Sequence, residues 1–121
     1  MTPFRLIVAG GRDFDNRELF VSELEKLCVA ELVDYNVILI SGMAKGADLM
    51  AYNYALQNQV EVASFPANWN EHGKAAGHIR NREMGDFADG LLAFWDGKSR
   101  GTQGMIQYMR KLEKPVRVVH Y

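Results

Sequence analysis

Val37-Ile38-Leu39-Ile40-Ser41-Gly42-Met43-Ala44-Lys45-Gly46-Ala47-Asp48 is the stretch that decides the fold. The apolar run Val37 to Ile40 reads as a buried strand, and Leu49 to Gln57 reads as a helix. A strand that enters a glycine-containing turn and then a helix leaves backbone N–H groups unpaired at the helix start. Those amides and the helix dipole both favour an anion there. Gly42 and Gly46 permit close backbone approach, and Lys45 adds a mobile positive charge. The order Lys-Gly-Ala-Asp is not the Gly-Lys-Ser/Thr of a P-loop. The same residues also suit an ordinary strand-to-helix connection, in which Asp48 in the first turn contributes ~0.3–1 kcal/mol against the dipole.

Working outward, comparable turns recur. Phe4 to Ala9 reads as a buried strand ended by Gly10-Gly11. Asp15 is the expected N-cap of the next helix, with Glu18 as capping-box partner and Phe14 and Leu19 as a hydrophobic staple. That helix is expected to run to about Val33, with Phe20, Leu24, Leu27, Cys28 and Leu32 on its apolar face. A third strand, Val60 to Phe65, stops at Pro66 and leads to the polar loop Ala67 to Gly73. Lys74 to Phe87 reads as a helix, Leu91 to Trp95 as a strand and Asp96 to Thr102 as a polar turn. A helix over Gln103 to Leu112 and a strand over Val116 to Val119 complete the chain. Five apolar strands alternating with helices predict a single α/β domain of 121 residues, a mostly parallel five-stranded sheet covered on both faces. The expected strand order is 3-2-1-4-5. Right-handed crossovers then bring Gly10–Phe14, Ser41–Asp48, Pro66–Lys74 and Asp96–Thr102 to one rim.

Composition narrows the function. Hydrophobic content of 48% with 24% charged residues is that of a soluble globular protein. The net charge of −1 supplies no global positive field, which counts against nucleic acid and anionic membranes as partners. No apolar run approaches the ~20 residues needed to span a bilayer, and the N-terminus carries no signal-peptide pattern. The single Cys28 has no disulfide or zinc partner, so a reducing, cytoplasmic setting is expected. His72, His78 and His120 lack metal-ligand spacing, and no metal or cofactor is expected.

Several rim residues can contact a ligand. Gly10-Gly11-Arg12-Asp13 lacks the dinucleotide fingerprint, yet paired glycines permit close approach and Arg12 offers a fork to phosphate. Alternatively, Arg12 pairs with Asp13 or Asp48 and fixes the loops. In Asp96-Gly97-Lys98-Ser99-Arg100-Gly101-Thr102, amides, two hydroxyls and two cations precede a helix; Ser99 or Thr102 can equally serve as an N-cap worth ~1 kcal/mol. Trp69, in a polar loop, is a better base-stacking candidate than Trp95 at a strand end. Arg80 can bury its stem beside Ile79 and Met84 and turn its head to the rim. No serine stands in a nucleophile elbow.

Gly-Gly-Arg-Asp-Phe (10–14), Ser-Gly-Met-Ala-Lys-Gly-Ala-Asp (41–48), Phe-Pro-Ala-Asn-Trp (65–69), Gly-Lys-Ala-Ala-Gly-His-Ile-Arg-Asn-Arg-Glu-Met (73–84) and Phe-Trp-Asp-Gly-Lys-Ser-Arg-Gly-Thr (94–102) occur in that order. Together they resemble the YspA/YpsA-related SLOG family, a Rossmann-like group often encoded by bacteria and their phages. The resemblance implies recognition of nucleotides or nucleotide-derived ligands at the rim. The wider superfamily also includes LOG-type phosphoribohydrolases and DNA-processing proteins that bind single strands. His78, Arg80 and Met84 match the LOG motif His-x-Arg-x-x-x-Met, which implies substrate contact by Arg80. Aligned at Gly101-Thr102, the second LOG motif places its catalytic glutamate at position 105, which is Met105 here. Methionine can neither stabilise an oxocarbenium-like state nor activate water.

The residues therefore favour a nucleotide-binding sensor or sequestering protein over an efficient enzyme, with no catalytic residue assigned. The expected ligand contacts are Gly10, Gly11, Arg12, Asp13, Ser41, Gly42, Lys45, Gly46, Asp48, Trp69, Lys74, Arg80, Asn81, Asp96, Ser99, Gly101 and Thr102. Within that set, Arg12, Lys45 and Arg80 neutralise phosphate, Asp48 or Asp96 binds ribose hydroxyls and Trp69 stacks on the base. A phosphoribohydrolase with a relocated carboxylate is the alternative, and single-stranded nucleic-acid binding comes third. Six methionines and the dimeric habit of LOG relatives suggest a homo-oligomer.

Overall fold

A computed structural model describes all 121 residues. Strands β1 (Thr2–Gly10), β2 (Tyr35–Ser41), β3 (Val62–Ser64), β4 (Gly90–Trp95) and β5 (Val116–His120) form one sheet in the order β3-β2-β1-β4-β5. Every neighbouring pair is parallel, with Leu6 opposite Leu39 on one side of β1 and opposite Gly90 on the other. The expected order and class are those observed.

The alternation of β1 explains the layers. Leu6 and Val8 face one side with Leu39, Leu92 and Phe94, and pack against α1 (Arg17–Glu31) and α2 (Ala47–Gln57). Ile7 and Ala9 face the other with Ile40, Leu91 and Ala93, beneath α4 (Ala76–Phe87) and α5 (Arg100–Lys111). Because β1 is buried on both faces, its apolar residues run without a polar interruption from Leu6 to Ala9. A short helix α3 (Trp69–His72) and a 3₁₀ turn (Gly73–Ala75) precede α4.

Local boundaries differ from the sequence reading, each for a local reason. Asn16, not Asp15, caps α1: its side-chain oxygen accepts from the Leu19 N–H at 3.0 Å. With Asn16 as the cap, Leu19 stands where a capping box needs Glu or Gln, so the Asp15–Glu18 box does not form, and the helix ends at Glu31 rather than Val33. Phe14 stacks on Phe94, with ring centroids 4.7 Å apart. Strand β3, at the sheet edge and paired with β2 alone, is three residues long, shorter than the expected Val60 to Phe65. The loop 67–73 holds α3, with Asn68 accepting from the Glu71 N–H at 3.1 Å as its cap. Helix α5 begins at Arg100 rather than Gln103, so Gly101 and Thr102 belong to its first turn. No helix is long and apolar enough to cross a membrane.

Candidate functional site

The strand order reverses at β1: the chain steps from β1 outward to β2 and β3, then returns to β4 on the other side. The loops after β1 and β4 diverge there, which opens a crevice at the carboxyl ends of the strands. A cleft of about 530 Å³ occupies this point, bounded by the loops after β1 and β4, the starts of α2 and α5, and the region from α3 into α4. A depression of about 280 Å³ adjoins it and shares Arg12, Ala44, Trp69 and Arg80 as wall.

Thirteen of the expected contact residues line the main cleft: Gly10, Gly11, Arg12, Asp13, Asp48, Trp69, Lys74, Arg80, Asn81, Asp96, Ser99, Gly101 and Thr102. Gly42 and Lys45 line the adjoining depression instead. Ser41 and Gly46 line neither. The Ser41 hydroxyl is fully buried, donates to the Asp48 carbonyl at 2.8 Å and accepts from the Met43 N–H at 3.1 Å, which fixes the turn rather than offering a ligand contact. Gly46, at φ +95°, packs directly against the Gly11 carbonyl, where a Cβ atom would collide. It lets the loops after β1 and β2 meet.

The start of α5 is open. Ser99 occupies the cap position without capping, its hydroxyl lying 3.2 Å from that of Thr102. The backbone N–H groups of Arg100, Gly101 and Thr102 have no partner within the protein. These amides, with the positive end of the helix dipole, form an anion-binding end. The preceding turn is braced by Asp96, which accepts from the N–H groups of Ser99 and Lys98, each at 2.8 Å, and is thereby held below the usual carboxylate range. Trp95 is a brace as well, its indole N–H donating to the Ser99 carbonyl at 3.0 Å. Trp69, in contrast, is 53% exposed at the cleft edge.

Arg80 couples three elements. Its guanidinium donates to the Gly42 carbonyl and, through Nε, to Asn81 Oδ1 at 2.8 Å. Asn81 in turn donates to the Gly101 carbonyl at 3.4 Å. Burial lowers the Arg80 pKa, the Asp48 charge raises it and the Arg12 charge lowers it further. Arg12 is exposed and forms no ion pair with Asp13 or Asp48 within 4.0 Å, so it does not fix the loops in that way.

Asp48 is the buried carboxylate of the cleft, 5% exposed. Desolvation pushes its pKa up to about 6, against the Arg80 charge and the amides of Ala44, Asp48 and Gly10, which pull it down. No side chain hydrogen-bonds to it. The position expected for a LOG glutamate is filled by Met105, 1% exposed at the cleft wall.

Some contributors were not singled out from the sequence. Arg100 joins the cleft lining because α5 starts three residues earlier than its periodicity suggested. Tyr121 donates its hydroxyl to Asp13 at 2.7 Å and covers Gly11. Burial, first, and this bond to Asp13 raise the tyrosine pKa. No local motif marks Tyr121, because the contact spans the chain. No group of three or more His, Cys, Asp or Glu side chains is placed to hold a metal ion.

Comparison with known proteins bears on this site. The gene 61 protein of Mycobacterium phage D29 is 31% identical over 122 residues, covering 93% of each chain. DNA processing protein A from Helicobacter pylori, whose structure was described for its single-stranded DNA binding mode, superposes with a TM-score of 0.67 at 18% identity. The alignment covers 97% of the present chain and 65% of that one. This overturns the expectation that nucleic acid is a poor partner: a protein of the same fold binds single-stranded DNA. Net charge over the whole chain is the wrong scale for the question, because the cleft lining sets Arg12, Lys74, Arg80 and Arg100 against Asp13, Asp48 and Asp96. The family profile of the YspA, cpYpsA-related SLOG family matches residues 4–72, and the chain belongs to that family.

Proposed function

We propose that the rim cleft binds a nucleotide or nucleotide-derived ligand, and that the protein acts as a sensor or sequestering protein for it. The observation that carries this reading is the open start of α5, whose unpaired amides share one cleft with Arg12, Arg100 and the exposed ring of Trp69. Phosphate suits the amides and the guanidinium groups, and a base suits the indole face. Met105 offers no group for glycosidic hydrolysis at the position where LOG enzymes carry theirs. Thermal melting against a panel of nucleotides, with mass spectrometry of small molecules released from the purified protein, tests the reading. A ligand at ~100 times its dissociation constant stabilises the fold by ~2.7 kcal/mol. Absence of any shift and of any co-purified nucleotide contradicts it.

A second reading is that the same cleft takes one nucleotide unit of a single strand. The fold shared with a single-strand-binding protein and the four cations of the lining favour it. Titration of a fluorescent oligonucleotide at several salt concentrations separates the two. Strand binding across the rim weakens steeply with salt, by a slope of ~0.7 per phosphate contact. A response confined to mononucleotides leaves the first reading alone.

A further inference from the structure

Three carboxylates reach the cleft, and two brace the loops that carry them. Asp13 accepts from the Tyr121 hydroxyl and Asp96 from the backbone of its own turn. Asp48 differs: it is 95% removed from solvent by its 5% exposure, lines the cleft and has no side-chain donor. Arg80, whose charge reaches it, makes no ion pair with it within 4.0 Å. A carboxylate that lines a cleft and takes no side-chain donor keeps acceptor positions for a ligand beyond the amides of Ala44, Asp48 and Gly10. It also repels phosphate, so the anionic group belongs at the other helix start, on the free amides of α5. The ligand is thus oriented: phosphate to α5, hydrogen-bond donors to the start of α2. In a nucleotide, the groups beside the phosphate that donate are the ribose hydroxyls. A carboxylate on the 2′-hydroxyl is a recurrent way to read that sugar in related α/β crevices, and that hydroxyl distinguishes ribose from deoxyribose.

We propose that Asp48 selects the sugar, so that the cleft takes a ribonucleotide unit in preference to its 2′-deoxy counterpart. This rests on the nucleotide reading above and deepens it. The assignment is a contact to ligand made by Asp48 itself, with Ser41 and the turn around it holding the α2 start in place.

Calorimetric titration of the full chain with the four ribonucleoside 5′-monophosphates and their four 2′-deoxy counterparts tests it. The expected result is a preference of ~10-fold or more for the ribose form of whichever nucleotide binds, the size of one hydrogen bond to a charged group. In Asp48→Asn, which keeps the shape of the side chain, that preference should fall to within about twofold, chiefly through weaker binding of the ribose form. Equal affinities of the ribose and deoxyribose forms in the wild type overturn the assignment while leaving the nucleotide reading intact, and need no variant to interpret. A ribose preference that survives in Asp48→Asn overturns the role of Asp48. No binding by any of the eight compounds removes the inference together with the reading beneath it.

Discussion

At the scale of the residue, Asp48 sets binding against stability. Its folded pKa of about 6 stands above the ordinary value of 3.8 because burial penalises the charged form. The folded state therefore holds this proton more tightly than the unfolded state, and the contribution to stability falls as pH rises through the window from about 4 to 6. Two pKa units correspond to ~3 kcal/mol. Asp48→Asn should thus be more stable than the wild type at pH 7 by up to ~3 kcal/mol, with the gap closing toward pH 4; urea unfolding at both pH values measures it. A variant less stable than the wild type at pH 7 contradicts the account. The two arginines make a second contrast. Arg12 is exposed and unpaired, so Arg12→Ala should weaken nucleotide binding by ~10-fold with the melting temperature unchanged. Arg80→Ala removes its bonds to Gly42 and Asn81 as well, so it should cost binding and also ~1–3 kcal/mol of stability. Identical stability losses in the two variants would show that this distinction is wrong.

At the scale of the element, what the sequence makes legible is hydrophobic pattern, and what it hides is competition between neighbouring polar residues. The apolar runs of β1, β2 and β4 are visible because parallel strands buried on both faces need them. The cap of α1 is not, because Asp15 and Asn16 are both good caps and only backbone geometry chooses Asn16. Asn16→Ala should destabilise the protein by ~1 kcal/mol and Asp15→Ala by only a few tenths, measured by chemical denaturation. The reverse order restores the original cap. The same limit explains α5. Glycine at 101 and 104 weakens the helical signal of its first turns, yet the helix begins at Arg100, beside β4 and beneath the α4 contact. The amides and cations of this turn were legible as an anion site, but the place of Arg100 in the cleft lining depended on that one boundary. Ser41 was legible as a hydroxyl beside a turn, but its burial under Asp48 depends on tertiary packing.

At the scale of the whole molecule, the strand order is the step from pattern to site. Once β1 lies between β2 and β4, loops separated by more than eighty residues meet at one rim, and most of the contact residues expected from the sequence converge there. Long-range additions such as the Tyr121 clasp on Asp13 carry no local signal and emerge only when β5 is placed at the edge. Charge shows the same dependence on scale: a chain of net charge −1 presents four cations and three aspartates around one cleft. The most direct test of that cleft is backbone amide NMR of the labelled protein titrated with the nucleotide that gives the largest thermal shift. Perturbations should concentrate at Gly10–Asp13, Ala44–Asp48, Trp69–Asn81 and Asp96–Thr102, with Gly101 and Thr102 among the largest. Perturbations confined to the outer face of α1, or none at saturating ligand, would contradict the assignment of the rim as the binding site.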